Sequence, residues 1–297
     1  MFTVNPKEIK TAALHAYMLA AIAPRPIAFA STIDKDGNPN LSPFSFFNAF
    51  GSNPPLLIFS PARRVRDNSI KHTLENVHEV DEVVINVVNY DMVQQQSLAS
   101  TEYEKGVNEF EKAGFTPIAS QLVKPFRVKE SPVQMECKVK QIIKTGTEGG
   151  AGNLIVCEIL LMHISENILD ADNRIDQHKI DLVARLGANY YCRTSGAALF
   201  EVEKPSQKKG IGVDQLPDHI RTSKVLTGNC LGQLGNCETL PNPLEIEAFN
   251  SSAKGIHILQ QLHGSNEERI SQLHFIAKTL LDQNCVKDAW EVLMLEA

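Results

Sequence analysis

A basic segment that leads into a predicted helix carries the clearest binding chemistry in the sequence. Residues 59–73, FSPARRVRDNSIKHT, contain Ser60, Arg64, Lys71 and Thr73 among further cations. A helix N-terminus offers free N–H groups and a positive dipole end, and added cations and hydroxyls make it an anion site. The segment therefore predicts a site suited to a single phosphate monoester. The alternative is a solvated basic loop balanced by nearby acids.

A second segment, LSPFSFFNAF at residues 41–50, interleaves polar and aromatic side chains. On one continuous strand, alternate residues share a face, so Ser42, Phe44, Phe46 and Asn48 are expected on the same side. Taken alone, the pattern favours an aromatic core strand whose polar residues point outward.

A third segment, RLGANYY at residues 185–191, follows a short polar stretch and contains Arg185, Gly187 and Tyr190. It is typical of a glycine turn that leads into a strand. Nothing local singles out its chemistry.

The six cysteines show no C-x-x-C pair and no tight cluster. Cys137 and Cys157 lie within apolar strand patterns, which predicts buried free thiols. Cys230 and Cys237 flank a glycine-rich loop, but their spacing alone does not indicate zinc or redox chemistry. We expect no metal site.

The elements that must position these segments are mainly β-strands. Apolar, β-branched runs bounded by turn residues predict strands at 22–33, 41–50, 54–60, 82–89, 130–146 and 153–165. Asp36-Gly37 between the first two runs is a strong hairpin signal. Short helices are predicted at 67–79, capped by Asp67, at 91–100, and at 107–113, ended by Gly114. Many strands and few short helices indicate a closed or partly open barrel with peripheral helices.

The chain changes character after residue 204. Residues 205–245 are rich in Gly, Pro, Asn and Lys with little periodicity, which predicts an irregular segment. Residues 245–295 show apolar side chains at three-to-four spacing, which predicts a helical hairpin. We therefore expect a β domain at 1–204 and an irregular and helical C-terminal extension at 205–297.

Composition narrows the class of protein. The 297 residues are 43% hydrophobic and carry a formal net charge of −6, which argues against nucleic-acid binding. No apolar run approaches the roughly 20 residues that span a bilayer, so no membrane segment is expected. The N-terminus lacks the pattern of a signal peptide, so a cytoplasmic protein is the default expectation.

Several short motifs, taken together, resemble the flavin reductase-like, FMN-binding split-barrel family. The resemblance extends from about residue 20 to 195 in the family's order and spacing, and flavoredoxin-type NAD(P)H:flavin oxidoreductases belong to the same group. The motifs are RPIA (25–28), STIDKDG (31–37), NLSPFSFFN (40–48), PPLLIFS (54–60), KHT (71–73), VINVV (84–88), NEFEKAG (108–114), ESPVQMEC (130–137) and RLGANY (185–190).

The resemblance implies a six-stranded, Greek-key-like split barrel that forms a homodimer with FMN near the subunit interface. By similarity, Ser45, Phe46, Phe47 and Asn48 flank the isoalloxazine ring. Ser60 begins the phosphate-side loop, to which Arg64 also belongs. The resemblance gives Lys71 and Thr73 a phosphate or ribityl contact. It also places Arg185 and Tyr190 at the cofactor, without specifying the atoms that they contact.

Two positions depart from the family pattern. His72 stands where the family usually has Asp, and it could be neutral or partly cationic beside a phosphate. Ala188 stands where the family usually has Gly, which puts in question a close backbone approach at that point.

The resemblance implies an oxidoreductase in which FMN takes hydride from NADH or NADPH and passes electrons to free flavin, oxygen or a protein partner. Hydride transfer at the flavin needs no protein acid or base, so no catalytic side chain is assigned. The alternative is an FMN electron carrier that docks a redox partner without useful nicotinamide turnover. A third possibility is an FMN-dependent oxidase of a small substrate.

Overall fold

The chain divides into two compact units, Met1–Phe200 and Glu201–Ala297. The computed structural model describes residues 1–205 and 208–295. The domain boundary predicted from the sequence falls after residue 204, four residues beyond the end of the first unit.

The first unit is built on a seven-stranded antiparallel sheet in the order β2-β1-β5-β8-β9-β4-β3. The strands are β1 (Ala28–Ile33), β2 (Pro39–Phe44), β3 (Phe47–Ser52), β4 (Pro55–Phe59), β5 (Glu82–Val87), β8 (Val133–Lys144) and β9 (Asn153–Ile164). Two-stranded ladders join β6 (Pro117–Ile118) to β7 (Arg127–Val128), and β10 (Val183–Arg185) to β11 (Tyr191–Arg193).

Connectivity forces the large sheet to curl into a barrel. Strands β2 and β3 lie at opposite ends of the sheet order, yet only Ser45 and Phe46 separate them in the chain. Six strand spacings of a flat sheet would place these edges about 29 Å apart. The short connection spans at most about 11 Å. The sheet must therefore bring its two edges together, and because no ladder joins β2 to β3 among the described strands, the barrel is split at this corner.

The barrel interior is apolar. Its buried members include Phe44, Phe59, Ile85, Cys137 and Ile155, and the rings of Phe44 and Phe59 lie 5.5 Å apart. Cys137 and Cys157 are both free thiols and inaccessible to solvent. This confirms the prediction of two buried free thiols. Burial raises the pKa of the Cys137 thiol to about 12, so it stays protonated and is no nucleophile.

Five helices accompany the barrel: α1 (Thr11–Ala21), α2 (His72–Glu79), α3 (Val93–Leu98), α4 (Glu109–Ala113) and α5 (Gln177–Ile180). Gly114 ends α4 in a left-handed conformation with φ 71°, as the sequence predicts. A second apolar cluster, which includes Phe29, Phe110 and Phe115, packs the α3–α4 region against the sheet. Across the two described ranges, no helix has both the length and the apolar character needed to cross a membrane.

Several boundaries in the first unit differ from the sequence prediction. The strand predicted at 22–33 starts only at Ala28. The segment 41–50 is not one strand, because the chain leaves β2 after Phe44 and starts β3 at Phe47. Helix α2 starts at His72 and not near Asp67. The Asp67 carboxylate instead accepts a hydrogen bond from the Ser69 backbone N–H (3.0 Å), which stabilises a turn ahead of the helix.

The second unit is more helical than the sequence suggests. Its helices are α6 (Asp218–Arg221), α7 (Gly228–Gly235), α8 (Pro243–Asn250), α9 (Ala253–Gln261), α10 (Asn266–Asp282) and α11 (Val286–Leu293). The prediction of an irregular segment over 205–245 is wrong for α6 and α7, which lack a long apolar period but pack into the same core as Trp290. Where the sequence predicts a two-helix hairpin over 245–295, the structure has four helices, α8 to α11.

Candidate functional site

Three cations converge on the carboxylate of Glu102. Arg64 Nε lies 2.8 Å from Oε1, Arg66 Nη2 lies 3.0 Å from Oε2, and Lys71 Nζ lies 3.6 Å from Oε1. Hydrogen bonds from Arg64 and then Arg66 lower the pKa of Glu102 to about 2, so this carboxylate is charged at neutral pH. We refer to Arg64, Arg66, Lys71 and Glu102 as the cation cluster; it combines three positive charges with one negative charge.

The loop that holds the cation cluster is fixed by its own hydrogen bonds. Arg64 Nη1 donates to the Ser69 hydroxyl (2.9 Å) and to the Ile70 carbonyl (2.8 Å). Arg63 Nε donates to the Asn68 side-chain oxygen (2.6 Å), and Asn68 adopts a left-handed φ of 59°. The loop therefore places Arg64 and Lys71 together before α2 begins.

The first turn of α2 lies at the edge of the cation cluster. Lys71 is the residue before the helix, and burial followed by the charge of Arg64 lowers its pKa. Burial also lowers the pKa of His72, which favours the neutral imidazole at neutral pH. Thr73 is only 1% exposed, and its hydroxyl accepts a hydrogen bond from Asn40 Nδ2 (2.9 Å). Thr73 therefore lies on the buried face of α2, whereas the Lys71 side chain reaches Glu102 and the two arginines of the cation cluster.

Ser60 connects the basic loop to two other parts of the chain. Its backbone N–H donates to the Phe46 carbonyl (2.9 Å), and its hydroxyl accepts from the Asn153 N–H (3.1 Å). The neighbouring glycine-rich turn packs closely here, because a Cβ on Gly152 would lie 3.1 Å from Ser60 Oγ. The turn between β8 and β9 and the start of the basic loop therefore form one rigid junction.

The corner between β2 and β3 presents an aromatic ring and an amide to solvent. Phe46 is 36% exposed and its ring lies 6.1 Å from that of His15, while Phe47 packs on the barrel core. Asn48 is exposed; its side-chain oxygen accepts from the Ala49 N–H (2.8 Å), and its Nδ2 has no protein partner within residues 1–205 and 208–295. The expectation that Phe44 shares a face with Phe46 and Asn48 is wrong, because Phe44 points into the core and the chain turns after it.

Arg25, for which the sequence motifs predict no role, holds this corner through a hydrogen bond to Ser45. Its Nε donates to Ser45 Oγ (3.3 Å), and its other nitrogens donate to the carbonyls of Leu19, Ile22 (2.7 Å) and Leu186 (2.9 Å). Arg25 is 5% exposed. No spacing in the sequence pairs residue 25 with residues 45 and 186, so only the fold identifies this role.

The turn at 185–190 is placed beside the corner by the same contacts. The backbones of Arg25 and Arg185 exchange two hydrogen bonds of 2.9 Å. The Arg185 guanidinium donates to the Ala188 carbonyl (2.8 Å) and lies 4.5 Å from the Tyr191 ring centre. Tyr190 is 72% exposed. Arg185 is thus largely occupied within its own turn, and the Tyr190 ring extends into solvent.

The predicted residues therefore fall into two neighbourhoods joined by Ser60. One is the corner with its exposed Phe46 and Asn48, and the other is the cation cluster. An exposed aromatic surface, an unpartnered amide donor and a phosphate-sized group of cations fit the ring, the polar edge and the phosphate of a flavin mononucleotide. Glu102 is the one charged member that sequence reasoning missed, because it lies 31 to 38 residues from its partners.

A cavity of about 450 Å³ lies elsewhere in the first unit, beside β7, β8 and β9, and includes Arg127, Gln134 and His163 in its wall. Near it, the buried carboxylate of Glu136 accepts from the N–H groups of Gln121 (2.8 Å) and Leu122 (2.6 Å) and lies 2.7 Å from His163 Nε2. These donors compensate the burial of the Glu136 charge, so the position of His163 has a structural explanation. None of the predicted cofactor residues lines this cavity.

Comparison with known proteins bears on the first unit. The family model described as "Flavin reductase like domain" matches residues 20–180. An uncharacterized protein of Aquifex aeolicus is 37% identical over 196 residues, which is 66% of this chain and 97% of that protein. The crystal structure of nitrilotriacetate monooxygenase component B from Bacillus cereus superposes with a TM-score of 0.63 at 27% identity, covering 68% of this chain and 98% of that one.

A structure from Shewanella frigidimarina, provisionally described as a flavin reductase with a split barrel domain, gives a TM-score of 0.56 at 26% identity and covers 67% of this chain and 95% of that one. These matches confirm the split-barrel fold expected from the sequence motifs, although its sheet has seven strands and not the six that the resemblance implies. About a third of this chain lies outside each of them. With a barrel split at the 45–46 corner, the matched motifs in order and a family model that spans more than half of the sequence, this chain belongs to the flavin reductase-like family.

Proposed function

We propose that the first unit binds FMN, accepts hydride on it from NADH or NADPH, and passes the electrons to free flavin or to a redox partner. The observation that carries the proposal is the junction at Ser60. It joins an exposed aromatic corner at Phe46 and Asn48 to the cations Arg64 and Lys71. A flavin mononucleotide needs both kinds of surface within one site.

In this proposal the corner holds the ring and the basic loop holds the phosphate. Phe46 supplies an apolar face, Asn48 a free amide donor, and Ser45 and Phe47 fix the backbone between them. Arg64 and Lys71 face the phosphate and Ser60 begins their loop, while the buried Thr73, bonded to Asn40, supports the first turn of α2 and does not contact the ligand. Arg185 and Tyr190 complete the assignment as outer contacts, with Tyr190 free to move onto a ligand because its ring is exposed.

When bound, FMN supplies the hydride-accepting and electron-transferring chemistry. The chain's own residues bind and orient the cofactor. Arg64 and Lys71 neutralise charge, and the hydrogen bonds of Arg25 to Ser45 and to the Leu186 carbonyl hold the corner rigid. No side chain has to give or take a proton for hydride transfer, so the absence of a nucleophile–base motif in the sequence agrees with this chemistry.

We further propose that the protein is a homodimer whose second copy covers the corner. The outer face of β9 carries exposed Leu160, Met162 and Ile164 at alternate positions, and Phe50 on β3 is 62% exposed. Exposed apolar side chains grouped on one strand face are typical of a protein interface. A partner packed against Phe50, three residues after Phe47, would shield a ring that the open corner of one copy leaves in water.

An anaerobic titration tests the function. Purified protein loaded with FMN is followed by its visible spectrum during stepwise addition of NADH and then NADPH. We expect rapid bleaching of the flavin bands with at least one of them. A bound flavin that bleaches only with dithionite would contradict nicotinamide oxidation and favour an electron carrier. Protein that takes up no flavin would contradict the whole proposal.

A further inference from the structure

The carboxylate of Glu102 occupies the cations that the proposed function assigns to a ligand phosphate. It contacts Arg64, Arg66 and Lys71 within 3.6 Å. Its own side chain is 42% exposed, whereas that of Arg64 is 17% exposed. Glu102 therefore covers the partly buried Arg64 and Lys71 from the solvent side, where a ligand phosphate would arrive.

The Glu102 carboxylate is charged at neutral pH, because the hydrogen bonds from Arg64 and Arg66 lower its pKa to about 2. In the flavin-free protein this charge offsets the burial of Lys71 and the repulsion from Arg64, which both lower the pKa of Lys71. A ligand that displaces the Glu102 carboxylate must therefore bring a negative charge to the same cations.

We propose that Glu102 is a built-in competitor for the flavin phosphate and that it sets the preference of the site between phosphorylated and unphosphorylated flavins. The inference rests on the proposed function, since it takes the cation cluster as the phosphate site. A phosphate monoester carries nearly two negative charges and three acceptor oxygens, against one charge and two oxygens for a carboxylate. Phosphate can therefore displace Glu102, but the competition reduces the affinity that the cations alone would give.

Riboflavin provides the internal control, because it has the same ring and ribityl chain without the phosphate. It does not compete with Glu102, so removing the carboxylate charge should not change its binding. The selectivity for FMN over riboflavin is then the quantity that Glu102 controls.

The test is a fluorescence-quenching titration of FMN and of riboflavin into the wild-type protein, Glu102→Gln and Glu104→Gln. The control residue Glu104 lies two positions away and has an exposed carboxylate without an ion pair among the described residues. We expect Glu102→Gln to bind FMN about tenfold more tightly, which corresponds to the loss of one charged competitor. Riboflavin affinity should be unchanged, and Glu104→Gln should change neither.

The outcomes separate this inference from the proposed function. Equal or weaker FMN binding by Glu102→Gln, in a protein whose wild type binds FMN, overturns the competitor role alone. Equal tightening of both flavins also overturns it, since the effect then comes from the ring site. Binding of neither flavin by the wild type overturns the proposed function. Glu102→Asp keeps the charge on a shorter side chain. If the FMN phosphate displaces this carboxylate, the variant should bind FMN with an affinity between those of the wild type and Glu102→Gln.

Discussion

Two arginine sites in the first unit differ in what the guanidinium binds: Arg25 binds fixed backbone groups, and Arg64 also binds an exposed carboxylate. Arg25 is 5% exposed, and its guanidinium donates to Ser45 and to three backbone carbonyls. Arg64 also donates to a backbone carbonyl, but its Nε faces the carboxylate of Glu102, a half-exposed side chain from a distant segment.

The difference lies in whether the partner can leave. Backbone carbonyls fixed in α1 and in the 185–190 turn cannot move away without unfolding, so Arg25 stabilises structure. An exposed carboxylate can be replaced by another anion, which is why we propose Arg64 and Lys71, and not Arg25, as ligands of a phosphate. A count of cations does not distinguish the two groups, whereas the identity and exposure of their partners does.

The largest expected effect comes from Arg25→Ala. It leaves the Leu19, Ile22 and Leu186 carbonyls without their donor, so the free energy of unfolding should fall by about 3 kcal/mol or more. Urea unfolding measures the change. Arg66→Ala, at a position whose side chain is 72% exposed, is the matched control and should leave stability unchanged. Similar losses in both variants would remove the distinction between the two groups.

Lys71→Ala should act on binding and not on folding. Loss of one charge-assisted phosphate contact predicts about 10- to 100-fold weaker FMN binding, with riboflavin affinity unaffected. Parallel titrations with the two flavins measure the effect, and thermal unfolding controls for stability. If riboflavin binding weakens as much as FMN binding, Lys71 contacts the ring side or acts through the fold.

Gly187→Ala tests the close packing that Arg25 secures. A Cβ at this position would lie 3.0 Å from Ala20 Cβ and 3.1 Å from Ala20 Cα, so α1 would have to move away from the turn. We expect a loss of about 1–2 kcal/mol in the free energy of unfolding. Gly228→Ala, where no atom lies within 4 Å of the added Cβ, is the control and should cost nothing. A stable Gly187→Ala protein would show that the contact between α1 and the turn is loose.

The smallest effect is expected from Ala188→Gly. Ala188 has φ 50°, a left-handed conformation that costs an L-residue about 1 kcal/mol and that glycine adopts freely. Greater freedom of glycine in the unfolded chain offsets part of the gain, so the stability should rise by about 0.5 kcal/mol. A small increase in Tm measures it, and a decrease would indicate that the alanine methyl group packs favourably.

The sequence predicted the elements whose local signals agree with their tertiary surroundings. The β-branched run at 82–87 forms β5, the long apolar segments form β8 and β9, and Gly114 ends α4 as expected. The prediction of one continuous strand over 41–50 was wrong, because nothing local marks the corner at Ser45 and Phe46. That corner exists because the closing barrel needs the chain to change edges there.

The start of α2 shows the same limit on a smaller scale. Asp67 is a good helix cap by residue type, but in the structure it stabilises a turn that places Arg64 against Ser69 and Ile70. In the second unit, α6 and α7 are too short and too irregular in pattern to be recognised, and they are stabilised by packing around Trp290.

The sequence by itself determined the family, the split barrel and the segments that we propose to contact a flavin, because ordered motifs and strand patterns are local properties of the chain. Only the tertiary structure decided which cations are committed to structure and which remain replaceable. That distinction depends on partners distant in sequence: Ser45 and Leu186 for Arg25, and Glu102 for Arg64 and Lys71. Hydrogen bonds and ion pairs act over a few ångströms in space, whatever the separation along the chain, so they become visible only when the barrel has closed.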